Sequence, residues 1–459
     1  MNHPSTGSNT FKPPNPSSLF AFTLALGLVF TPDALNAWGN SLGNLGLWAL
    51  PALAAGFAVQ QVTLLGFRRL NSGAFVRGGD IRAFRTLWGR SAGDLILFCG
   101  KVPLAIGAST GLLVSAGFIF NEVFVYWFPN FAFAYLLLGA ILLANLIGRK
   151  AVGRCQTVAL AVIAAGLALL ILQPLFGGIS LVEEPAVRIS MNPAYGALGI
   201  VALMGFDLAL YGRPWNSASP GLPWRTVAWA VALGGVMLAL WGVVALQVVP
   251  ASRLAHGTIS HIIIARTLLG QTGRLIMGLV VIGAAFAAVN ALLFGVSRML
   301  ARMLCADETL SREAQTRRFR RVSRGAMVIL AGAIALTMAG GWAGEPVLET
   351  FIRTGVILWL LHYIGVNLSA LRLIYGLSSP NPENNLGGSV AHSAALAALT
   401  LGIAGLILLE AEPRSMGSML LGIPFIAGAL FGLRILIEKI GSKLKRHDPL
   451  DDLHNPKQT

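Results

Sequence analysis

The chain has 459 residues, of which 55% are hydrophobic and only 12% are charged, and its mean hydropathy is +0.71. Soluble proteins carry about 25% charged residues, so this composition excludes a soluble domain and favours a protein embedded in lipid. The net charge of +15 does not indicate nucleic-acid binding, because the basic residues lie in short blocks between apolar runs.

Twelve apolar runs are long enough to cross a bilayer, which takes about 20 residues per helix. They cover roughly residues 19–38, 44–66, 93–119, 130–148, 155–175, 194–212, 224–248, 272–303, 326–342, 347–376, 390–410 and 416–440. Residues 1–18 are polar and rich in Pro and Ser, which predicts a disordered tail rather than a cleaved signal peptide. The sequence therefore predicts an all-α integral membrane protein with about twelve transmembrane helices.

The basic residues alternate between loops and so predict the orientation of the chain. They cluster between spans two and three, between spans four and five, after span eight and after span twelve, for example at Arg68, Arg149, Arg317 and Lys443. The opposite loops are acidic, although the loop after span seven departs from this pattern and holds three arginines. By the positive-inside rule both termini are cytoplasmic, which predicts a multi-pass protein of the inner cell membrane.

Spans one and six each contain residues that interrupt a simple lipid-facing helix. Span one reads T-L-A-L-G-L-V-F-T-P-D from Thr23 to Asp33, and span six reads A-L-M-G-F-D-L-A-L-Y-G-R-P from Ala202 to Pro214. Backbone groups freed by Gly and Pro are tolerated at membrane depth only where they line a cavity. Because the two spans lie five apart, their breaks occupy corresponding positions in two five-helix halves, which indicates the binding site of an inverted-repeat transporter.

Short motifs in several spans resemble the amino acid–polyamine–organocation superfamily and keep its order. They are Gly27 to Pro32 for its span-one G-I-F-x-x-P, Gly205-Phe206-Asp207 for its span-six G-F/W-E/D, Gly221-Leu222-Pro223 at the entry to span seven, Asn290 to Arg302 for its span-eight signature, Leu371-Arg372 at the end of span ten and Gln156 in span five. The resemblance implies a leucine-transporter-like fold with inverted repeats over residues 19–175 and 194–376. Peripheral helices over residues 390–440 and a cytoplasmic tail over residues 441–459 complete it.

The same resemblance implies an amino acid or related amine as substrate, bound at the two breaks. The implied substrate-binding residues are Thr23, Ala25, Leu26, Gly27, Met204, Gly205, Phe206 and Asp207. Backbone around Ala25, Leu26 and Gly27 would hold the carboxylate, the backbone of Met204 and Gly205 would meet the amine, and Phe206 would act as a gate. This chain departs from the family at Ala25, where the usual residue is Gly, and at Ile163, where some proton-coupled members have Lys.

Ionisable residues within membrane spans are functional candidates by default. Asp207 beside the span-six break is the strongest, and Lys101, Asn290 and His362 are further candidates for coupling or gating. Alternative interpretations stay open: Asp207 could pair structurally with a neighbouring helix, Lys101 could snorkel to the cytoplasmic interface, and His362 could serve as a hydrogen-bond partner between helices.

Other functional classes fit the sequence less well. A major-facilitator carrier would have a long loop after span six, whereas the long basic loop here follows span eight. The seven histidines and three cysteines show no metal-ligand or disulfide spacing, so we expect neither an enzyme nor a cofactor. A substrate sensor, or a transporter of another substrate, on the same fold remains the alternative. Span eight has no Ser or Thr from Gly283 to Asn290, which favours proton-coupled or exchange transport over sodium coupling.

Overall fold

A computed structural model describes residues 16–71, 79–176, 192–212, 224–255, 257–305, 311–376, 385–410 and 412–446. Within these stretches the secondary structure is helical, and they contain no strand. Helix α1 begins at Pro16, inside the predicted tail over residues 1–18, and the last helix runs through Arg446 into the predicted tail over residues 441–459. The remainder of both tails and the motif Gly221–Pro223 lie outside the described residues.

In chain order, the helices begin with α1 (Pro16–Ala25), α2 (Pro32–Leu45), α3 (Ala49–Leu70), α4 (Gly79–Trp88), α5 (Arg90–Cys99), α6 (Val102–Ile119), α7 (Asn130–Ile147), α8 (Arg149–Leu172) and α9 (Pro193–Val201). They continue with α10 (Trp224–Val248), α11 (Ala251–Ala255), α12 (Ser260–Leu304), α13 (Arg312–Ala339), α14 (Pro346–Gly376), α15 (Asn385–Glu410) and α16 (Pro413–Arg446). A 3₁₀ helix, Phe206–Gly212, follows α9.

The predicted all-α multi-pass membrane protein is confirmed. Ten helical segments among the described residues are long and apolar enough to cross a membrane. One of them, Pro32–Leu70, contains both the second half of span one and the whole of span two, joined at the 3₁₀ turn Gly46–Trp48. Helix α16 supplies a further segment of 34 residues, so the helices match the twelve predicted spans.

Three predicted span boundaries differ from the helices. Span three is divided at Gly100 and Lys101 into α5 and α6. Helix α12 starts twelve residues before the predicted span eight, and a kink at Gly270 (φ 56°) separates its first segment from the membrane-spanning part. Helix α13 starts at Arg312 rather than residue 326, because Ser311 caps it and the basic block continues the helix before it enters the apolar region.

The two broken spans lie against each other. Span one consists of α1 and α2 separated by a turn over residues 26–31, and span six consists of α9 and the 3₁₀ helix separated at residues 202–205. Helix α1 packs against the 3₁₀ helix and α2 packs against α9. The breaks meet directly, because a Cβ on Gly205 would lie 3.2 Å from the Leu28 side chain. Spans three, eight and ten, formed by α6, α12 and α14, pack around this centre.

Candidate functional site

A fully buried ion pair joins span three to the break in span six. The ammonium of Lys101 donates to Asp207 Oδ2, and both side chains have no exposed surface. The other carboxylate oxygen, Oδ1, accepts a hydrogen bond from the Tyr363 hydroxyl at 2.7 Å. That hydroxyl in turn accepts from the backbone N–H of Gly205 at 3.1 Å. One carboxylate therefore connects spans three, six and ten at the break.

Local backbone features bring these groups together. Gly205 has φ 98°, a left-handed conformation that glycine adopts without steric cost, and it turns the chain between α9 and the 3₁₀ helix. In span three, a Cβ on Gly100 would lie 2.6 Å from the His362 Cβ, so only glycine lets α14 approach the break this closely. Lys101 follows immediately at the N-terminal boundary of α6, which directs its side chain toward span six.

Aromatic residues of spans six and ten surround the ion pair. The Lys101 Nζ lies 4.3 Å from the centre of the Trp359 ring and 3.4 Å from His362 Nδ1. Phe206 lies beside Tyr363, with ring centroids 5.5 Å apart. This apolar enclosure excludes water, so a charge that lost its partner there would be strongly destabilised. The site is closed around its own ion pair.

The span-one half of the predicted site is also buried. The backbone at the break changes from the α-helical pattern to shorter i→i−3 hydrogen bonds, from the Gly27 N–H to Leu24 and from the Val29 N–H to Leu26. Thr23, Ala25 and Leu26 are all buried. The Thr23 hydroxyl donates to the Phe20 carbonyl at 3.0 Å, so it is engaged within its own helix.

Asn290 lies in a separate polar network that links four spans. Its amide nitrogen donates to Gln156 Oε1 at 2.6 Å, and its oxygen accepts from Asn145 Nδ2 at 2.7 Å. Gln156 Nε2 donates to the carbonyls of Thr23 at 3.2 Å and Ala287 at 3.1 Å. The structure therefore places Asn290 behind span one, in contact with these amides rather than with the ion pair.

The predicted cytoplasmic side is closed by α4, in the loop between spans two and three. Arg85 of α4 binds the Asp94 carboxylate with two hydrogen bonds, at 2.7 and 2.9 Å, and donates to the Met303 carbonyl at 2.7 Å. Asp80 accepts from the Tyr211 hydroxyl at 2.5 Å, and the Arg302 guanidinium lies 5.3 Å from the Tyr211 ring. Helix α4 thus connects the end of span six to spans three and eight.

We expect the stability of the protein to depend on pH through the buried carboxyl of Asp80. Burial raises the pKa of its carboxyl above the ordinary value, although the Tyr211 hydrogen bond and the charge of Arg302 oppose the shift. The folded protein therefore holds this proton more tightly than the unfolded chain, and stability falls as pH rises from about 3.9 toward the raised pKa. Asp80→Asn should remove this slope when melting temperature is measured against pH. Equal slopes in the two proteins would contradict the assignment.

The opposite side is closed by the segment between spans seven and eight. Asn36 Oδ1 accepts from the Ser260 backbone N–H at 2.9 Å and from its hydroxyl at 2.8 Å. About two helical turns further along α2, Asn44 Nδ2 donates to the Ala255 carbonyl at 3.4 Å. With Asn40 between them, these side chains form a stripe along α2 that holds α11 and the start of α12 over the centre.

The structure brings together Lys101, His362 and Asp207, which the sequence analysis identified as separate candidates. The snorkelling interpretation of Lys101 is wrong, because its side chain is fully buried and reaches Asp207 instead of the interface. Sequence reasoning did not identify Tyr363 or Trp359, since aromatic residues in an apolar span are indistinguishable from packing residues. The stripe of Asn36, Asn40 and Asn44 was visible as polar residues at intervals of four.

No protein-family model matches the chain, and no curated protein matches it. A crystal structure of a mutant manganese transporter from Eremococcus coleocola is similar to the chain, with a TM-score of 0.55 and 12% sequence identity over 92% of this chain and 94% of that chain. At this identity the likeness concerns the fold alone. The chain has the leucine-transporter-like fold that the motif resemblance implies.

Proposed function

We propose that this protein is a secondary active transporter that moves an amino acid or a related amine by alternating access, with proton coupling or exchange. The observation that carries the proposal is the buried Lys101–Asp207 pair at the point where the breaks of spans one and six meet. Intramembrane charges beside discontinuous helices mark substrate and ion pathways in transporters. The resemblance to the amino acid–polyamine–organocation superfamily supports the substrate class.

The pair lies where the parts of an alternating-access transporter separate. Asp207 belongs to span six, which is joined to span one, whereas Lys101 and Tyr363 belong to spans three and ten. Opening the centre to either side parts these groups, and each charge then needs a new partner. A substrate ammonium supplies one at Asp207, with the backbone of Met204 and Gly205 alongside it.

The charge balance favours an amino acid over a simple cation. If an ammonium group replaces Lys101 at Asp207, the Lys101 ammonium loses its counterion inside a water-free site, which is costly. A substrate carboxylate restores that partner, either at Lys101 or through the backbone of Ala25, Leu26 and Gly27 with a compensating proton release. His362 Nδ1, 3.4 Å from Lys101 Nζ, is positioned to relay the proton that Lys101 releases out of the site, so that the charge of the site stays balanced. Phe206 is positioned to close the site.

Manganese is the second candidate substrate, because the similar solved structure is that of a manganese transporter. In this chain, the carboxylate that a divalent cation would need, Asp207, already pairs with the Lys101 ammonium. A divalent ion at this position would face that positive charge at close range. Among the described residues, no three His, Cys, Asp or Glu side chains are grouped as metal ligands. These contacts favour the amino acid.

Ligand-induced thermal stabilisation tests the substrate class. A ligand that binds the folded protein raises its stability by RT ln(1 + [L]/Kd). We expect one or a few amino acids to raise the melting temperature in a saturable manner, and Asp207→Asn to abolish the shift. Glu345→Gln, which changes an exposed carboxyl, is the matched control and should keep it. A rise in melting temperature with Mn²⁺, together with no rise for any amino acid or amine, would contradict the proposal.

Coupling is tested with the same ligand after reconstitution into proteoliposomes. Sodium and proton gradients are imposed separately, and counterflow is measured without either gradient. We expect uptake to follow the proton gradient or to proceed by exchange. Strict dependence on the sodium gradient would overturn the coupling part of the proposal and leave the substrate class intact.

A further inference from the structure

Three carbonyl groups near the end of α1, those of Phe22, Thr23 and Leu24, accept hydrogen bonds from different donors. A helix leaves its last carbonyls without helical partners, and α1 ends at Ala25 where span one breaks. The Phe22 carbonyl accepts from the Leu26 N–H and the Leu24 carbonyl accepts from the Gly27 N–H, both at 3.2 Å. The Thr23 carbonyl accepts instead from a side chain of another span, Gln156 Nε2, at 3.2 Å.

The same amide nitrogen also reaches span eight. Gln156 Nε2 donates to the Ala287 carbonyl at 3.1 Å, so its two N–H groups serve two carbonyls from two different spans. The Gln156 oxygen accepts from Asn290 Nδ2 at 2.6 Å, which fixes the orientation of the amide. Gln156 has no exposed surface, and all of its hydrogen-bonding groups are satisfied.

A carbonyl near a half-helix C-terminus, Thr23, that converges with a second carbonyl from span eight, Ala287, forms the kind of place where a cation is stabilised. The helix dipole puts partial negative charge there, and transporters with discontinuous helices use such carbonyls to coordinate sodium. Here the space is occupied by the amide nitrogen: a Cβ on Gly27 would lie 3.1 Å from Gln156 Nε2 and 2.8 Å from the Ala291 Cβ. A neutral donor therefore takes the position of an ion.

We propose that the Gln156 side-chain amide is a built-in substitute for a coupling cation, which holds span one against spans five and eight without bound sodium. Gln156 is thus a positioning residue for the span-one break. Asn290 donates to the Gln156 oxygen and accepts from Asn145, and these two hydrogen bonds hold the Gln156 amide in its orientation. The inference goes beyond the proposed function, and its test needs no substrate.

The test is to convert the position into a cation site. Gln156→Glu keeps the shape of the side chain but replaces the donor with a carboxylate oxygen facing the Thr23 and Ala287 carbonyls. Gln156→Ser removes the amide and leaves open space in front of the same two carbonyls. Thermal unfolding of the purified full-length protein is measured in NaCl, KCl and choline chloride at equal ionic strength. Gln60→Glu is the matched control, because Gln60 is equally buried but donates to a single carbonyl, that of Ile200, at 3.0 Å.

We expect the wild type to melt at the same temperature in the three salts. Gln156→Glu should be less stable in choline chloride and should regain stability with sodium in a saturable manner, with a smaller gain for Gln156→Ser. Gln60→Glu should lose stability equally in all salts. If Gln156→Glu does not fold, the melting temperatures of the wild type and of Gln156→Ser in the three salts test the inference. Saturable, sodium-specific stabilisation of the wild type would overturn the inference, as would the absence of a sodium effect in the Gln156 variants that fold.

Discussion

Lys101→Met is expected to lower the free energy of unfolding by about 3–5 kcal/mol, because it leaves the Asp207 carboxylate buried without its counterion. The side chains of both partners are fully buried, so water cannot replace the lost ammonium. Asp207→Asn should cost a similar amount, since the buried Lys101 ammonium then loses its anionic partner and faces neutral groups, among them the His362 nitrogen and the Trp359 ring. Chemical unfolding of the purified protein in detergent measures both losses.

The double variant Lys101→Met/Asp207→Asn distinguishes a charge effect from a packing effect. It removes both charges but keeps an oxygen that can accept from the Tyr363 hydroxyl, so it should be more stable than either single variant. A double-mutant cycle gives the coupling energy directly. The exposed pair of Arg317 and Glu313 is the control, because surface ion pairs contribute about 0–1 kcal/mol. Additive losses at Lys101 and Asp207 would mean that the two charges act independently.

This pair also shows how far the sequence predicted the site. Asp207 was identifiable because an acid beside a glycine break at membrane depth is costly unless it has a role. The pairing of Asp207 with Lys101 was not identifiable, because the two residues lie 106 positions apart and the rotation of one helix against another depends on packing rather than on spacing. The break at Gly100, which turns Lys101 inward, resembles an ordinary helix glycine in the sequence.

The fold was more predictable than the site for a physical reason. A bilayer requires long apolar helices and leaves basic residues in alternate loops, so spans can be counted from hydropathy alone. The paired breaks at Gly27 and Gly205 predicted the inverted repeat, because the glycines that interrupt a span can be read directly from the sequence. The partners of Gln156 could not be read in this way, since they are backbone carbonyls and any residue type supplies one. The substrate class depends on motif resemblance and remains a prediction.

Gly27→Ala is expected to destabilise the protein by about 1–3 kcal/mol, the usual cost of adding a methyl group to a filled core. The new Cβ would lie 2.8 Å from the Ala291 Cβ and 3.3 Å from the Ala287 carbonyl oxygen. The first distance is shorter than the usual contact between two non-bonded carbon atoms. Span one would have to move away from span eight to admit it. The loss is measured by chemical unfolding in detergent.

Moving the methyl group across the interface provides the decisive comparison. Ala291→Gly in the Gly27→Ala background removes the shortest contact, so it should restore part of the stability, whereas the contacts to Gln156 Nε2 and the Ala287 carbonyl remain tight. Gly139→Ala is the control, because a Cβ there meets no atom within 4 Å and should stabilise α7 by about 0.5–1 kcal/mol. If Ala291→Gly gave no recovery, the break would not pack against span eight as described. Partial recovery would also show that span one is positioned by close packing against span eight as well as by the hydrogen bond between the Thr23 carbonyl and Gln156 of span five.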